Sequence, residues 1–501
     1  MFYLKQLLLA LKRFVPTGDI AERATKSAVW LGVMNVIERG LQLVTMLVLA
    51  RLLNPRAFGI FGISLLTVTA IKRFTDIGIN AALIQHSDKN VDKYLNTTWI
   101  LEVARGGAIA GVLALAAPLF ATFFGEPRAT GPLRVIALTP LFLGLRNPGI
   151  VYFKKNLEFH KEFVYRLSGS FTLPVVGIGI AFVSPTAWAL VVGFVAADLV
   201  RLVASFIIHD YRPHLEFDIE FAKELIDYGK WITGSSIMSF LTTEGDDIVV
   251  GYLLPASSLA FYQLAYRFAN APATEISQTI TNVAFPMYSK FQDDSEMLRE
   301  SFFRTLQTTS LVAFPVSFGI VAVAPTFVLA FLGPDWLPMV WTLQILAVYG
   351  LLRAFGKLCG SIWKATGRPD YLTKLPPIRI ILMGIFIFPA INTFGLEGAA
   401  LVILGVSVFP MIPLNFYLIV DTIETTYRRL LYELAYPTIA SGVMLGAVLA
   451  VRLNVPIASI YVEFFVLVGV GVMTYLCAVA VLSQAPGWDI VETIQFIRKK
   501  L

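Results

Sequence analysis

Long runs of apolar residues, separated by short polar breaks, follow one another along the whole chain. A helix that crosses the hydrocarbon core of a bilayer needs about 20 mostly apolar residues, and fourteen runs of this kind occur in the sequence. The predicted spans are 27–50, 57–82, 94–118, 131–153, 162–183, 187–208, 228–254, 257–285, 304–332, 337–358, 376–394, 396–420, 431–452 and 458–483. The pattern predicts an all-α polytopic membrane protein with about 14 transmembrane helices, and it leaves no room for a soluble domain.

Two short polar hairpins mark an internal repeat. The stretch RLLNPRAFGIFGI, residues 51–63, lies between the first two spans, and YLLPASSLAFYQL, residues 252–264, lies between the seventh and the eighth. An offset of 201 residues places Trp30 on Trp231, Leu52 on Leu253, Gly59 on Ala260 and Phe61 on Tyr262. Because six spans separate the copies, both have the same orientation and are related by an axis along the membrane normal. The repeat predicts two pseudo-symmetric six-helix lobes followed by a C-terminal helix pair.

The predicted spans divide the chain into five segments. The N-terminal segment has leucines at helical spacing with basic residues between them, which is typical of an amphipathic helix in the membrane interface rather than of a cleaved signal peptide. The segments are the cytoplasmic amphipathic segment 1–26, the N-lobe 27–208 with six spans, the cytoplasmic linker 209–227, the C-lobe 228–420 with six spans, and 421–501 with the last two spans and a cytoplasmic tail.

Composition and charge agree with this membrane topology. The chain is 56% hydrophobic and 15% charged, with a mean hydropathy of +0.71. Successive connectors between the spans lie on opposite sides of the membrane. The connectors of one side contain twenty-two lysines and arginines, and those of the other side contain five. Since basic residues near span ends are held on the cytoplasmic side, both termini are predicted to be cytoplasmic, in a multi-pass protein of the inner (plasma) membrane. The net charge of +6 follows from this bias, so that no nucleic-acid partner is needed.

Ionisable side chains inside the predicted spans are the main functional signal. Each costs at least a few kcal/mol at bilayer depth, and such groups normally face a cavity or an opposite charge. Glu38 and Arg39, for example, lie roughly 16 Å from the inner end of the first span at 1.5 Å per residue, close to the midplane. The candidates all belong to the first helix pair of a lobe. The basic ones are Arg39, Lys72, Arg73 and Arg267, and the acidic ones are Glu38, Asp76, Glu244, Asp246 and Asp247.

The two sets of charges suit different chemistry. Arginines in a water-filled cleft suit a phosphate or pyrophosphate group, whose oxygens match the guanidinium fork. The carboxylates suit a coupling proton or sodium ion, or internal pairing with the basic residues. A purely structural interpretation competes with both. Long basic side chains can extend to the interface, and Glu102 with Arg105, or Asp198 with Arg201, have the i,i+3 spacing of ion pairs that neutralise each other.

Signatures of catalysis or of a metal centre are missing from the sequence. Cys359 and Cys477 lie in apolar runs without a neighbouring Cys or His, and the four histidines lie in polar connectors. The stretch GLLRAFGKL, residues 350–358, has five residues between its glycines and no Ser or Thr after Lys357, so that it is not a phosphate-binding P-loop. The chain is therefore not expected to be an enzyme, and no cofactor or metal is expected.

Four stretches of the sequence resemble a known family in their order and spacing. They are LARLLNPRAFGIFGI (49–63), DIGINAALIQ (76–85), TAWALVVGFVAADLVRLV (186–203) and GLEGAALV (395–402). The family is that of the polysaccharide, or Wzx-type oligosaccharide, flippases of the multidrug/oligosaccharidyl-lipid/polysaccharide exporter superfamily. The similarity covers essentially the first 420 residues and is strongest in the first 210.

The resemblance implies two lobes that work by alternating access around a central cargo site. The implied cargo is a polyprenyl-diphosphate-linked oligosaccharide, moved from the cytoplasmic to the outer leaflet for the biosynthesis of O-antigen, lipopolysaccharide or another surface glycan. Relatives that flip peptidoglycan precursor carry cavity arginines in their first, second and eighth helices, and Arg39, Arg73 and Arg267 are the candidates here. Membrane lipids and other glycan-assembly proteins are the further partners expected.

Two alternative functions remain open at this point. The first is an ion-coupled exporter of small molecules or drugs from the same superfamily, although the basic residues of the first two spans fit an anionic lipid-linked cargo better than a cationic drug. The second is a membrane-embedded polysaccharide polymerase or ligase. Such an enzyme would be expected to carry a sizeable outer loop, and the longest outer connector predicted here has about 12 residues.

Overall fold

The computed structural model describes residues 20–76, 78, 92–156 and 158–484. It describes their side chains as well, except those of residues 20–29, 92, 93, 225–228, 230, 231 and 271–276. Every regular element in this part of the chain is helical, which confirms the predicted all-α class. The α-helices are α1 Ile20–Leu52, α2 Pro55–Phe74, α3 Asp92–Phe123, α4 Thr130–Ile136, α5 Leu138–Leu145, α6 Val151–Lys155, α7 Phe159–Val183, α8 Ala187–Ile208, α9 Ile219–Leu253, α10 Ala256–Lys290, α11 Ser295–Phe327, α12 Val340–Ala365, α13 Asp370–Val406, α14 Ile412–Thr422, α15 Tyr427–Asn454 and α16 Ile460–Leu482. Of the N-terminal segment, residues 1–19 lie outside the described part, as do most of DIGINAALIQ and the C-terminal tail.

The hairpin between α1 and α2 follows from its sequence. The side chain of Asn54 accepts a hydrogen bond from the backbone N–H of Ala57 at 2.9 Å and caps α2, and Pro55 occupies the first turn, where a missing N–H costs nothing. Arg56 forms a bidentate ion pair with the buried carboxylate of Glu126. This arginine, on the side that the charge bias makes external, therefore has a structural role.

The second hairpin repeats the first at the predicted offset. Helix α1 ends at Leu52 and α2 begins at Pro55, while α9 ends at Leu253 and α10 begins at Ala256. The end of the first helix and the start of the second are thus both displaced by 201 residues, the offset of the internal repeat in the sequence. The repeat is visible in the secondary structure as well as in the residues.

The predicted fourth span is a broken helix. The segments Pro127–Leu145 and Pro148–Lys155 meet at an angle of 71°. At the break lies Asn147, which is fully buried. Its side-chain N–H groups donate to the carbonyl oxygens of His209 and Tyr211, its side-chain oxygen accepts from the Gly149 N–H, and its own backbone N–H donates to the Ser205 hydroxyl. These bonds satisfy the backbone groups that the break would otherwise leave unpaired inside the protein.

A second interruption lies within α13, where the chain leaves the helical conformation at Gly395, with φ of 60° and ψ of −134°. A left-handed φ favours glycine because it has no Cβ. The predicted boundary between the eleventh and twelfth spans falls at this residue. The stretch 370–422 has 53 residues, about 80 Å of helix at 1.5 Å per residue, which greatly exceeds the roughly 30 Å of hydrocarbon in a bilayer.

The number of spans is tested only in part. In the described part of the chain, ten helices are long and apolar enough to cross a membrane, or eleven if the broken fourth span is included. Helix α9, in which three acidic residues fall close together, and α10 are not among them, and 370–422 counts once. A multi-pass membrane protein is confirmed, and the total of fourteen spans stays a prediction.

The chain divides into two compact units. The first comprises Met1–Glu244 with Pro255–Ser257, and the second comprises Gly245–Leu254 with Ser258–Leu501. The core of the first unit packs α2, α3 and α8 around Val68, Leu113 and Val191. In the second unit, one apolar cluster joins α10, α11 and α12, and another joins α11, α15 and α16. The predicted lobe and linker boundaries are not tested by this division and stay predictions.

Candidate functional site

In the first unit, Glu38 on α1 is held by α7. Its carboxylate accepts from Nε of Arg166 at 3.2 Å and from a second nitrogen of the same guanidinium. The hydroxyl of Ser170, one turn further along α7, donates to the same carboxylate at 3.2 Å. Glu38 was predicted either to bind a coupling ion or to pair internally, and here it pairs with an arginine 128 positions away.

A second group of ion pairs centres on Asp198 of α8. Its carboxylate accepts from Arg146, at the end of α5, at 2.8 Å, and from Arg201 at 3.2 Å. Arg201 also donates to the hydroxyl of Ser170 at 3.4 Å, which links this group to Glu38. We call the set of Glu38, Arg146, Arg166, Ser170, Asp198 and Arg201 the ion-pair network; it ties α1, α5, α7 and α8 together. The i,i+3 pair of Asp198 and Arg201 confirms the pairing expected from sequence.

The basic end of α2 lies beside this network. Lys72 is half-buried, within electrostatic reach of Asp198 and Arg146, and its carbonyl oxygen accepts from Arg105 of α3 at 3.3 Å. Arg105 pairs with Glu102 at 3.1 Å, as the i,i+3 spacing predicted. Arg73, next to Lys72, is exposed at the end of α2.

Asp76 follows the end of α2 and joins it to α9. Its carboxylate accepts from the Gly78 N–H at 3.1 Å and from the Ser236 hydroxyl at 3.2 Å, and its carbonyl oxygen accepts from Thr233 at 2.6 Å. Phe74 contacts Phe240 edge-on in the same place. These contacts explain why most of α9 clusters with the first unit.

The remaining predicted basic residues do not belong to the ion-pair network. The side chains of Arg39 on α1 and Arg267 on α10 are exposed, as is that of Arg73. Their predicted role in binding a diphosphate is not tested by these contacts and stays a prediction.

In the second unit, Asp246 and Asp247 of α9 are tied to α10. Asp246 accepts from the hydroxyl of Tyr262 at 2.5 Å, and Asp247 accepts from the amide of Gln263 at 3.2 Å. Both aspartates are buried, whereas Glu244 is only half-buried. The geometry favours a structural role for Asp246 and Asp247, and binding of a coupling ion to any of the three stays a prediction.

Beyond Tyr262, tyrosines alternate with arginines across three helices. Arg353 of α12 donates to the hydroxyl of Tyr266 at 2.6 Å, and Arg379 of α13 donates to that of Tyr349 at 2.6 Å. Each guanidinium also lies within 6 Å of the ring of its tyrosine, at cation–π distance. The rings of Tyr266 and Tyr349 are 6.2 Å apart. We call Tyr262, Tyr266, Tyr349, Arg353 and Arg379 the tyrosine–arginine cluster.

A close helix contact brings this cluster together. A methyl group at Gly350 would lie 2.9 Å from the carbonyl oxygen of Ala269, which is closer than real side chains approach a backbone. Glycine at this position lets α12 lie directly against α10. The neighbouring positions then bring Tyr349 and Arg353 of α12 against Tyr266 of α10.

Four arginines of the first unit differ in their partners from the two arginines of the tyrosine–arginine cluster. In the first unit, Arg105, Arg146, Arg166 and Arg201 each contact a carboxylate. Among the described residues of the second unit, Arg353 and Arg379 contact phenol hydroxyls and form no ion pair. No group of three or more metal-ligating side chains occurs in the residues described. The arrangement can therefore bind and orient an anion.

Sequence reasoning missed several of these residues. Arg146, Arg166, Arg353 and Arg379 lie inside predicted spans, and that signal alone would have marked them. The predicted site included only the first helix pair of each lobe, and these four arginines lie on other helices. The tyrosine partners carry no comparable signal, since a tyrosine in a membrane helix is ordinary.

Comparisons with known proteins give consistent results. A family model described as polysaccharide biosynthesis protein matches residues 48–341. The lipopolysaccharide biosynthesis protein WzxC of Escherichia coli K12 is 29% identical over 446 residues, which cover 86% of this chain and 89% of the relative. The teichuronic acid biosynthesis protein TuaB of Bacillus subtilis 168 is 26% identical over 339 residues, covering 66% and 69%. Among solved structures, the lipid II flippase MurJ in an inward closed conformation superimposes with a TM-score of 0.73 at 14% identity, covering 91% of this chain and 99% of that one, which shows a common fold.

Proposed function

Because the chain belongs to the polysaccharide biosynthesis protein family, we propose that it is a flippase that moves a lipid-diphosphate-linked oligosaccharide from the cytoplasmic to the outer leaflet. The family match confirms the resemblance noted in the sequence. The observation that carries the proposal is the presence of exposed arginines on the helices α1, α2 and α10. A diphosphate is the anionic group that every such cargo shares, and arginine is the side chain best matched to its oxygens.

We assign the diphosphate to Arg39, Lys72, Arg73 and Arg267. Lys72 lies beside ion pairs that already neutralise several of its neighbours, so that its charge and that of Arg73 are the ones left to act on a ligand. Of the acidic candidates, Glu38 forms an ion pair and Asp246 and Asp247 are buried. Asp76, whose carboxylate accepts hydrogen bonds from the neutral Gly78 N–H and Ser236 hydroxyl, and Glu244 are half-buried. Asp76 and Glu244 are the better positions for a proton or sodium ion that drives transport by alternating access.

The charge bias and the family together suggest the cellular setting. We place the chain in the plasma membrane, which is the inner membrane of a cell with two, with both termini in the cytoplasm. The partners are then the polyprenyl-diphosphate-linked oligosaccharide, membrane lipids and other proteins of glycan assembly. The names of the relatives, which refer to lipopolysaccharide and teichuronic acid, support a surface polysaccharide as the end product.

The two alternatives fit the described residues less well. A polymerase or ligase needs an outer loop for its catalytic groups, but only Leu53 and Asn54 lie between α1 and α2, and α9 and α10 are separated by two residues. A drug exporter would accept cationic cargo, which the exposed arginines oppose. Neither alternative gains support from a specific contact.

The proposal is tested by deleting the gene and restoring it with variants. We expect the deletion to abolish surface polysaccharide and Arg73→Ala to restore it poorly, with transport reduced about tenfold or more, because a charge-assisted hydrogen bond contributes about 1.5–3 kcal/mol. Arg39→Ala and Arg267→Ala should behave similarly. Arg452→Ala, at the end of α15 where the charge bias predicts the outer side, is the matched control and should restore surface polysaccharide fully. Normal polysaccharide in all three variants, together with reduced drug efflux, would favour the exporter instead.

A further inference from the structure

The arginines of the tyrosine–arginine cluster carry charge that the described part of the chain leaves uncompensated at contact distance. An arginine inside a membrane helix normally contacts a carboxylate, as four do in the first unit. Asp246 acts on Arg379 electrostatically, and its carboxylate accepts a hydrogen bond from the hydroxyl of Tyr262. Within the described part of the chain, the cluster therefore holds two positive charges inside predicted spans without a contacting counter-charge.

The tyrosines fix the two guanidinium groups without neutralising them. A guanidinium has five N–H donors, and each tyrosine hydroxyl accepts from one nitrogen. In Arg379, Nε is buried and has no hydrogen-bond partner among the residues described. A buried donor left without a partner costs free energy, so that an acceptor brought by a ligand would be favoured.

We propose that Arg353 and Arg379 form a second anion-binding site, distinct from the arginines assigned to the diphosphate, which takes an oxyanion group carried by the cargo. The group is a sugar carboxylate or a phosphate, since both match the guanidinium fork. Tyr262 and Tyr349 are fully buried under their neighbours, so that neither offers its ring to a neutral sugar face. That the anion is carried by the cargo rests on the proposed function. The binding of an anion by Arg353 and Arg379 does not depend on it.

The site is tested with the full-length protein purified in detergent. The probes are trigalacturonate, which supplies carboxylates, inorganic pyrophosphate, which supplies phosphate, and uncharged maltotriose. We measure dissociation constants by calorimetry for the unmodified chain and for Arg353→Lys and Arg379→Lys, which keep the charge and the fold but lose the fork. Arg429→Lys is the matched control, because its guanidinium lies 4.3 Å over the ring of Phe303, also at cation–π distance but outside the cluster.

We expect at least one anionic probe to bind saturably, to bind about tenfold more weakly to each of the two cluster variants, and to bind normally to the control. Loss confined to trigalacturonate identifies an acidic sugar as the source, and loss confined to pyrophosphate identifies phosphate. The site is refuted if neither anionic probe binds, if maltotriose binds equally well, or if the cluster variants bind as the unmodified chain does.

A separate arm distinguishes this site from the proposed function. Arg73→Lys should weaken pyrophosphate binding while leaving trigalacturonate binding unchanged. If the cluster variants lose anion binding but deletion of the gene leaves surface polysaccharide intact, the site stands and the flippase function fails. If deletion abolishes surface polysaccharide but the cluster variants bind both probes normally, the function stands and the site fails.

Discussion

At the scale of single residues, the partner of a charged side chain determines whether it is available to a ligand. Asp198 contacts two arginines, and the exposed fractions of the side chains of Asp198 and Arg146 are 12% and 13%. Desolvation makes a pair of this kind costly to form, yet removing one partner is costlier because the other charge stays buried alone. Such residues are expected to stabilise the fold rather than to move cargo.

Replacement of Asp198 by Asn tests this view. The substitution keeps the shape of the side chain but leaves Arg146 and Arg201 without their carboxylate, so that we expect a loss of about 3 kcal/mol in the free energy of unfolding. The measurement is chemical or thermal unfolding of the purified protein in detergent.

Asp421→Asn is the matched control, because its pair with Arg368 is exposed, with exposed side-chain fractions of 58% and 50%. Exposed pairs of this kind contribute at most about 1 kcal/mol. Equal losses in the two variants would show that the ion-pair network does not stabilise the first unit in the way argued.

The sequence predicts pairs that are close in the chain and not those that are distant. Glu102 with Arg105, and Asp198 with Arg201, could be predicted because residues three apart share a helix face. The contact of Glu38 with Arg166 could not, since it joins α1 to α7 and depends on how these helices pack. Pairing between helices is a property of the tertiary structure, which one sequence does not contain.

At the scale of helices, small residues determine which pairs approach closely. Gly106 of α3 is buried against α5, and a methyl group there would lie 2.4 Å from the carbonyl oxygen of Pro140. Gly111, on the same helix, has open space around its Cα. The sequence indicates that membrane helices with glycine pack closely, but it does not indicate which glycine lies at the contact.

The two glycines of α3 provide a matched pair of variants. Gly106→Ala should cost about 1–3 kcal/mol, because the backbone of α5 must move to accept the methyl group. Gly111→Ala should leave stability unchanged or raise it slightly, because alanine is the better helix former. Unfolding midpoints of the two variants in one detergent give the comparison, and a midpoint for Gly106→Ala as high as that of Gly111→Ala would contradict close packing at Gly106.

Helix interruptions were predicted unevenly. The turn at Gly395 coincides with a predicted span boundary because Asn392, Thr393 and Gly395 form a polar break in an apolar run. The bend at Asn147 was not anticipated, although Asn followed by Pro is a typical turn signal. There the apolar run on both sides of the break suggested one continuous span, and only the tertiary partners of Asn147 reveal that its polar groups are satisfied.

At the scale of the whole molecule, the number of membrane crossings determines on which side of the membrane each later connector of the chain lies. The stretch that decides this number is 370–422, which counts as one span by composition but turns at Gly395 and is long enough for two. Five predicted spans lie between Asp293, which follows α10, and Ala458, which lies between α15 and α16. An odd number of crossings places these residues on opposite sides of the membrane, and an even number places them on the same side.

Single cysteines at these two positions give a direct answer. Both side chains are exposed and lie between helices, Asp293 after α10 and Ala458 before α16. In a background with Cys359→Ala and Cys477→Ser, we expect a membrane-impermeant maleimide to label Ala458→Cys from outside and Asp293→Cys only after the membrane is opened, since the lysines and arginines near Asp293 mark the cytoplasmic side. Labelling of both from one side would mean that 370–422 crosses once. Labelling in the reverse order would keep the number of spans and invert the orientation, which would also move the exposed Arg73 of α2 to the other end of the cargo's path.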